Sequence, residues 1–216
     1  MGNFYSDIIE LDPRFQSVKP IGDLNLLEPT MRGLVRQVIR DAATLGFELM
    51  AFETYRSQER QEELFDQHAT QLKKAGVHRY GLACDLVKVI GGAPSWKGDF
   101  TFLGRLAYQH KLIWGGDWGT PNQPHKSFDA VHVQRCSVAR QAALFRGEWY
   151  PDENYDPYQD LGGVGGMATL MASVGTRPET SKHKKRVTKK SGARKSAVKK
   201  RRKVPSSERD SSLRSE

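Results

Sequence analysis

Cysteine is nearly absent from this chain of 216 residues: Cys84 and Cys136 are its only two, far apart and without CxxC spacing. That argues against a disulfide framework and suits synthesis in a reducing compartment. Long apolar runs are missing too, and no stretch reaches the ~20 residues that a membrane-spanning helix needs. The start, Met1-Gly-Asn-Phe-Tyr-Ser-Asp7, lacks the basic and then apolar pattern of a secretory signal. The expectation is synthesis in the cytoplasm, with any work outside the cell depending on another route of release. Apolar residues make up only 38%, which implies that part of the chain does not fold.

What the chain has in excess is positive charge, and that charge is unevenly placed. The net charge is +9, yet residues 176–216 alone hold 16 Lys/Arg against 4 Asp/Glu, a net of +12. Residues 1–175 are left at −3. The basic character therefore belongs to a tail, and such asymmetry points to an appendage that meets a polyanion. The tail has almost no large apolar residues to offset chain entropy, so it is expected to be disordered when free. It also has no aromatic residues, so it offers no base stacking. Anionic cell-envelope polymers or lipids are its first expected partners, with nucleic-acid phosphates second.

The chain divides into four regions. Residues 1–28 are turn-prone and read as an N-terminal lead-in that packs on a core, and residues 29–160 read as the folded domain. Residues 161–175, LGGVGGMATLMASVG, read as a Gly/Ala-rich linker, with a weakly membrane-active segment as the sharper alternative. Residues 176–216 are the tail. Within the domain, Met31, Leu34, Val35, Val38, Ile39 and Ala42 repeat at helical spacing, with Thr30 as the expected cap and Gly46 as the stop. Residues 47–52 read as a strand, 57–74 as a helix capped by Ser57, and 82–90 as a buried strand. Residues 100–110 read as a helix, 113–118 as an aromatic turn, 128–134 as a short strand and 138–145 as a closing helix. Helices and strands do not alternate regularly. This predicts an α+β fold: a small, mainly antiparallel sheet flanked by helices.

The chemistry concentrates in two short segments. His78 and Asp85 lie seven apart with Gly81 and Ala83 between them, and Asp129 and His132 lie three apart downstream. Two neutral imidazoles and one carboxylate are the donor set of a catalytic zinc site that keeps a position open for water. The remaining carboxylate is then a candidate base. Zinc lowers the pKa of a water it binds from about 15.7 toward ~7. Unrelated polar residues are the competing reading, because six histidines leave room for chance pairings. The Asp129 and His132 spacing is also awkward, since residues an odd number apart point to opposite faces of a strand. They converge only if Asp129 lies at the strand's start or at a bulge. His68, His110 and His183 have no such company, and Cys84 and Cys136 read as core residues.

The pattern His78-x-x-Gly81-x-Ala83-x-Asp85, followed by Asp129-x-x-His132, resembles the signature of the D-alanyl-D-alanine carboxypeptidase and L-alanoyl-D-glutamate peptidase family. These are the VanY-like zinc peptidases and their phage endolysin relatives. The resemblance spans about residues 30–146. It implies one zinc per chain, held by His78, Asp85 and His132, with Asp129 as the catalytic carboxylate. Tyr55-Arg56-Ser57 matches the family's Tyr-Arg-Ser segment, in which the arginine binds substrate and supports the oxyanion. Trp114-Gly-Gly-Asp-Trp118 resembles a turn of the endolysin branch. The two tryptophans read either as loop pins or as a wall of the cleft, and Asp117 as a partner orienting a ligand histidine. Gly76 departs from the pattern, since many members carry Ser two residues before the histidine.

The resemblance implies an L-alanyl-D-glutamate endopeptidase acting on peptidoglycan stem peptides, with D-Ala-D-Ala carboxypeptidase as the close alternative. It also implies action on the wall after phage lysis or as part of a virion. A non-enzymatic binding module is the rival class, but all four chemical groups are present where a degenerate relative would be expected to lack one. Nothing in the sequence points beyond a monomer.

Overall fold

Helix α1 (Pro29–Thr44) begins on a proline, whose fixed φ suits the first helical position. Its cap is Glu28 and not the expected Thr30. The Glu28 carboxylate accepts from the Thr30 N–H at 3.0 Å and the Met31 N–H at 2.8 Å. Met31, Val35, Val38 and Ala42 form the buried stripe, and Gly46 follows the helix with a φ of +82°. This is a computed structural model that describes residues 2–70, 73–74, 76–118 and 129–161. By contacts the chain divides into Met1–Arg177 and Pro178–Glu216, and the described residues all belong to the first unit. The linker and tail expectations lie, but for Leu161, outside the described residues, as does Phe128.

Strand β1 (Leu49–Glu53) leads into helix α2 (Gln58–Asp66), which Ser57 caps through its Oγ to the Arg60 N–H at 2.9 Å. The sequence reading carried this helix to Lys74. It ends earlier because His68 adopts a left-handed φ of +58°. Strand β2 (Ala83–Ile90) turns back as β3 (Ala93–Ser95), and helix α3 (Thr101–Gln109) follows. The aromatic turn contains a short strand, β4 (Ile113–Trp114), before a 3-10 turn at Gly115–Asp117. Strand β5 (His132–Gln134) is shorter than the expected 128–134, and helix α4 (Val138–Phe145) has the expected bounds.

The sheet runs β1-β2-β5-β4 with every pairing antiparallel, and β3 pairs with β2. The α+β expectation holds. Leu86 and Cys84 of β2 and Val133 of β5 join the α1 and α3 side chains in the main core. Because side chains alternate along a strand, Asp85 and His132 fall on the other face. A buried arginine fastens the far end of β5. Arg135 is 1% exposed and donates to Glu28 Oε2 at 3.1 Å, to the Tyr155 carbonyl at 3.2 Å and to the Asp152 carbonyl. No helix among the described residues is long and apolar enough to cross a membrane.

Candidate metal centre

Three elements bring the donors together. His78 sits in a 3-10 turn, Val77–Tyr80, which Gly81 closes with a φ of +68°. Gly81 is required there twice over: its φ is left-handed, and a Cβ would lie 2.6 Å from the Leu26 carbonyl oxygen. The chain then enters β2, where Asp85 stands directly opposite His132 of β5. Residues opposite each other in an antiparallel pair share a face, so this register alone joins a carboxylate to an imidazole. His78 Nε2 lies 3.2 Å from Asp85 Oδ1 and 3.2 Å from His132 Nδ1, while His132 Nδ1 lies 3.1 Å from Asp85 Oδ1. All three residues are buried.

The tautomer of His132 follows from its neighbour. The Gln134 amide donates through Nε2 to the Cys136 carbonyl, so its Oε1 faces His132 Nε2, 2.9 Å away. An amide oxygen only accepts, so Nε2 carries a hydrogen, and in the neutral imidazole Nδ1 is left with a lone pair on the side of Asp85 Oδ1. Two electron-rich atoms at that distance repel each other unless a proton or a metal cation lies between them. Tetrahedral ligands at the ~2.0–2.1 Å of a zinc–nitrogen or zinc–oxygen bond are roughly 3.3 Å apart, close to the separations seen here. The donor set therefore fits zinc by atom type and spacing. Among the described residues, the buried His78 Nδ1 has no hydrogen-bond partner such as Gln134 provides for His132. A Cβ at Gly76 would meet nothing within 4 Å.

Without a metal, the protein's own charges act on these groups in different directions. Burial pushes Asp85 up, but the charges and hydrogen bonds of His78 and His132 hold it well below the ordinary carboxylate range. Burial lowers His78. Burial also pulls His132 down, but the hydrogen bond and charge of Asp85 outweigh it and leave its pKa raised. Asp129 is raised, by burial first and then by the charge of Asp85.

Asp129 lies outside β5, in the turn before it, which removes the alternation problem posed by its spacing from His132. Its N–H donates to the Gly115 carbonyl at 3.2 Å, and its own carbonyl accepts from the His132 N–H at 3.4 Å. Arg56 also reaches the site, donating through Nη2 to Asp85 Oδ2 at 3.1 Å. The Trp118 ring lies 4.8 Å from the His132 ring.

Other sequence candidates serve the fold. Tyr55 is 1% exposed, and its hydroxyl donates to the Phe15 carbonyl at 2.6 Å. Ser57 caps α2 and donates to the Ser17 carbonyl at 2.7 Å. Trp114 donates to the Ala130 carbonyl at 2.8 Å, and a Cβ at Gly104 or Gly116 would meet its indole at 2.4 or 2.2 Å. It is a loop pin. Gln134 Oε1 accepts from His132 Nε2 at 2.9 Å, and the charge of Asp117 falls beside Tyr108.

Solved structures resemble this chain. The L-Ala D-Glu endopeptidase ChiX of Serratia marcescens is 26% identical, with a TM-score of 0.40 over 51% of this chain and 81% of its own. VanYB in complex with D-alanine-D-alanine is 14% identical, with a TM-score of 0.42 over 64% and 83%. The vancomycin resistance D,D-pentapeptidase VanY in complex with Zn(II) is 15% identical, with a TM-score of 0.40 over 56% and 78%. No family model and no curated protein matches.

Gln134 and Glu53 are the site residues that sequence reasoning missed. Gln134 had a usable signal, since it lies two residues after His132 and so on the same strand face. Replacing it by leucine is expected to weaken metal binding about 10–100-fold, the usual cost of losing a partner behind a ligand histidine. Titration against a competing chelator measures this, and unchanged affinity in a folded Gln134→Leu protein would remove Gln134 from that role.

Proposed function

We propose that this chain is a zinc-dependent peptidase that hydrolyses the peptide stems of peptidoglycan, cutting between L-Ala and D-Glu. The observation that carries the reading is the convergence of His78 Nε2, Asp85 Oδ1 and His132 Nδ1 to within 3.1–3.2 Å, with Asp129 and Arg56 beside them. His78, Asp85 and His132 would hold the metal, which when bound supplies a Lewis acid and makes water a stronger acid. Asp129 takes a proton from the attacking water and returns it to the leaving amine. A pKa raised by burial and by Asp85 suits a group that must do both.

Arg56 has five N–H donors. Two go to Glu53, one to Asp85 and one to Gln61, which leaves one Nη1 proton for a substrate oxygen. Its first task is therefore to hold Asp85, with substrate contact limited to that single proton. The order and spacing of the motifs support peptidoglycan as substrate, and the Trp114–Trp118 turn supports the endopeptidase branch and, with it, a role in phage lysis or entry.

Mass spectrometry of purified peptidoglycan digested with zinc-loaded protein, beside a metal-stripped control, tests the reading. New D-Glu amino termini that appear only with metal are the expected result. Loss of terminal D-Ala would make the chain a carboxypeptidase instead. No metal-dependent product from several wall types would overturn the hydrolase reading.

A further inference from the structure

A buried carboxylate outside the donor set stands beside Asp85. Glu53 ends β1 with a side chain 3% exposed, and a carboxylate so placed persists only when paired. Its place depends on an irregularity. Leu49, Met50 and Ala51 pair in step with Lys88, Val87 and Leu86. Continued in step, the ladder would set Phe52 opposite Asp85 and Glu53 opposite Cys84, on the core face. The register instead shifts between Ala51 and Glu53, so that Glu53 stands opposite Asp85. One extra residue in a strand moves the residues after it to the other face, and here it carries a carboxylate from the core side to the metal side.

There Glu53 grips Arg56. Its Oε2 accepts from Arg56 Nε at 2.7 Å and also from Nη2, a forked contact that fixes the plane of the guanidinium. Gln61 Oε1 takes Nη1 at 3.3 Å, and Arg60 approaches Glu53 Oε1 at 3.5 Å. The second Nη2 proton then points at Asp85 Oδ2, while Asp85 Oδ1 faces both histidines. Arg56 belongs to the connection between β1 and α2, so its backbone alone does not set where the guanidinium points. Lysine, a point charge without a fork, does not reproduce the arrangement.

We propose that Glu53 is a positioning residue: by clamping Arg56 onto Asp85 Oδ2, it leaves Asp85 with one oxygen for the metal and keeps the last Arg56 Nη1 proton aimed at substrate. This rests on the metal-centre reading above, and its test separates the two. Zinc affinity is measured by chelator competition, and the visible absorption of the cobalt(II) form reports the coordination number, for wild type, Glu53→Gln, Arg56→Lys and the double variant. Glu53→Gln and Arg56→Lys are each expected to weaken zinc binding about 10–100-fold, as is typical of residues behind a ligand. Both are expected to dim the cobalt bands, as a two-oxygen Asp85 raises the coordination number. The double variant is expected to be no worse than the more severe single one, because both changes break one clamp.

Additive losses would show that Glu53 acts without Arg56 and would overturn the proposal, as would wild-type affinity and spectrum in a folded Glu53→Gln protein. If Glu53→Gln does not fold, Arg56→Lys decides: an unaltered cobalt spectrum there rejects the clamp. Absence of metal binding by wild type would instead sink the metal centre itself, and the clamp with it.

Discussion

Asp129→Ala is expected to remove turnover on peptidoglycan while the protein still binds one zinc. General acid–base groups contribute typically ~10²–10⁴-fold, and Asp129 is cast in both halves of the reaction, so the loss belongs at the upper end of that range. Zinc is retained because the donor cluster of the described residues consists of His78, Asp85 and His132 without Asp129. The fold should tolerate the change, since the Asp129 backbone makes the hydrogen bonds to Gly115 and His132 and its side chain adds only a local one from the Val131 N–H. Asp129→Asn keeps the shape and removes the basicity, so it should be as inactive as the alanine variant. Near-normal hydrolysis by either variant, with zinc content verified, would show that another group moves the proton. Loss of zinc from both would make Asp129 a ligand, and the roles assigned to the two carboxylates would have to be redrawn.

Gly115→Ala is expected to damage the site, by about 10²-fold in rate, from a position that carries no functional group. A Cβ on Gly115 would lie 2.5 Å from the Asp129 carbonyl oxygen, 3.0 Å from His132 Cβ and 3.2 Å from Asp129 Cβ. None of these atoms can rotate away, because each is backbone or the first atom of a side chain. The Gly115 carbonyl also accepts from the N–H groups of Asp129 and Trp118, so any shift reaches both of these residues. Overpacking of this kind costs about 1–3 kcal/mol of stability. A displacement of ~1 Å in catalytic groups can cost 10²-fold in rate. Thermal melts and zinc titration should both show the defect. Gly33→Ala is the control, since a Cβ there meets nothing within 4 Å inside α1 and alanine favours helix by up to about 1 kcal/mol. A Gly115→Ala protein with normal melting, zinc affinity and activity would contradict the tight approach of the two segments.

The regular elements were legible because their signals are local. The 3.6-residue stripe of α1, the apolar run of β2 and the Ser57 cap each depend on residues a few positions apart. The misreadings have local physical causes as well. A proline at the first helical position passed the cap from Thr30 to Glu28, and a left-handed His68 cut α2 short. Strand β4 was hidden because two residues are too few to show an alternation.

The order and identity of the candidate site residues, the donors His78, Asp85 and His132 and the carboxylate Asp129, together with the Arg56 segment, were legible in the sequence alone, as was the α+β character of the domain. Chemical type and spacing are properties of the chain, and these are distinctive. Only the tertiary structure decided which groups act through others. It placed Asp129 before β5 and clear of the alternation rule, and it gave the support of His132 to Gln134. It committed Tyr55 and Ser57 to the fold, and it turned Glu53 onto Arg56 through a one-residue shift in register. These outcomes depend on which strands pair and in what register, between residues as far apart as Glu53, Asp85 and His132. No local periodicity encodes that, because the free energy that selects the register is shared across the whole sheet and its core.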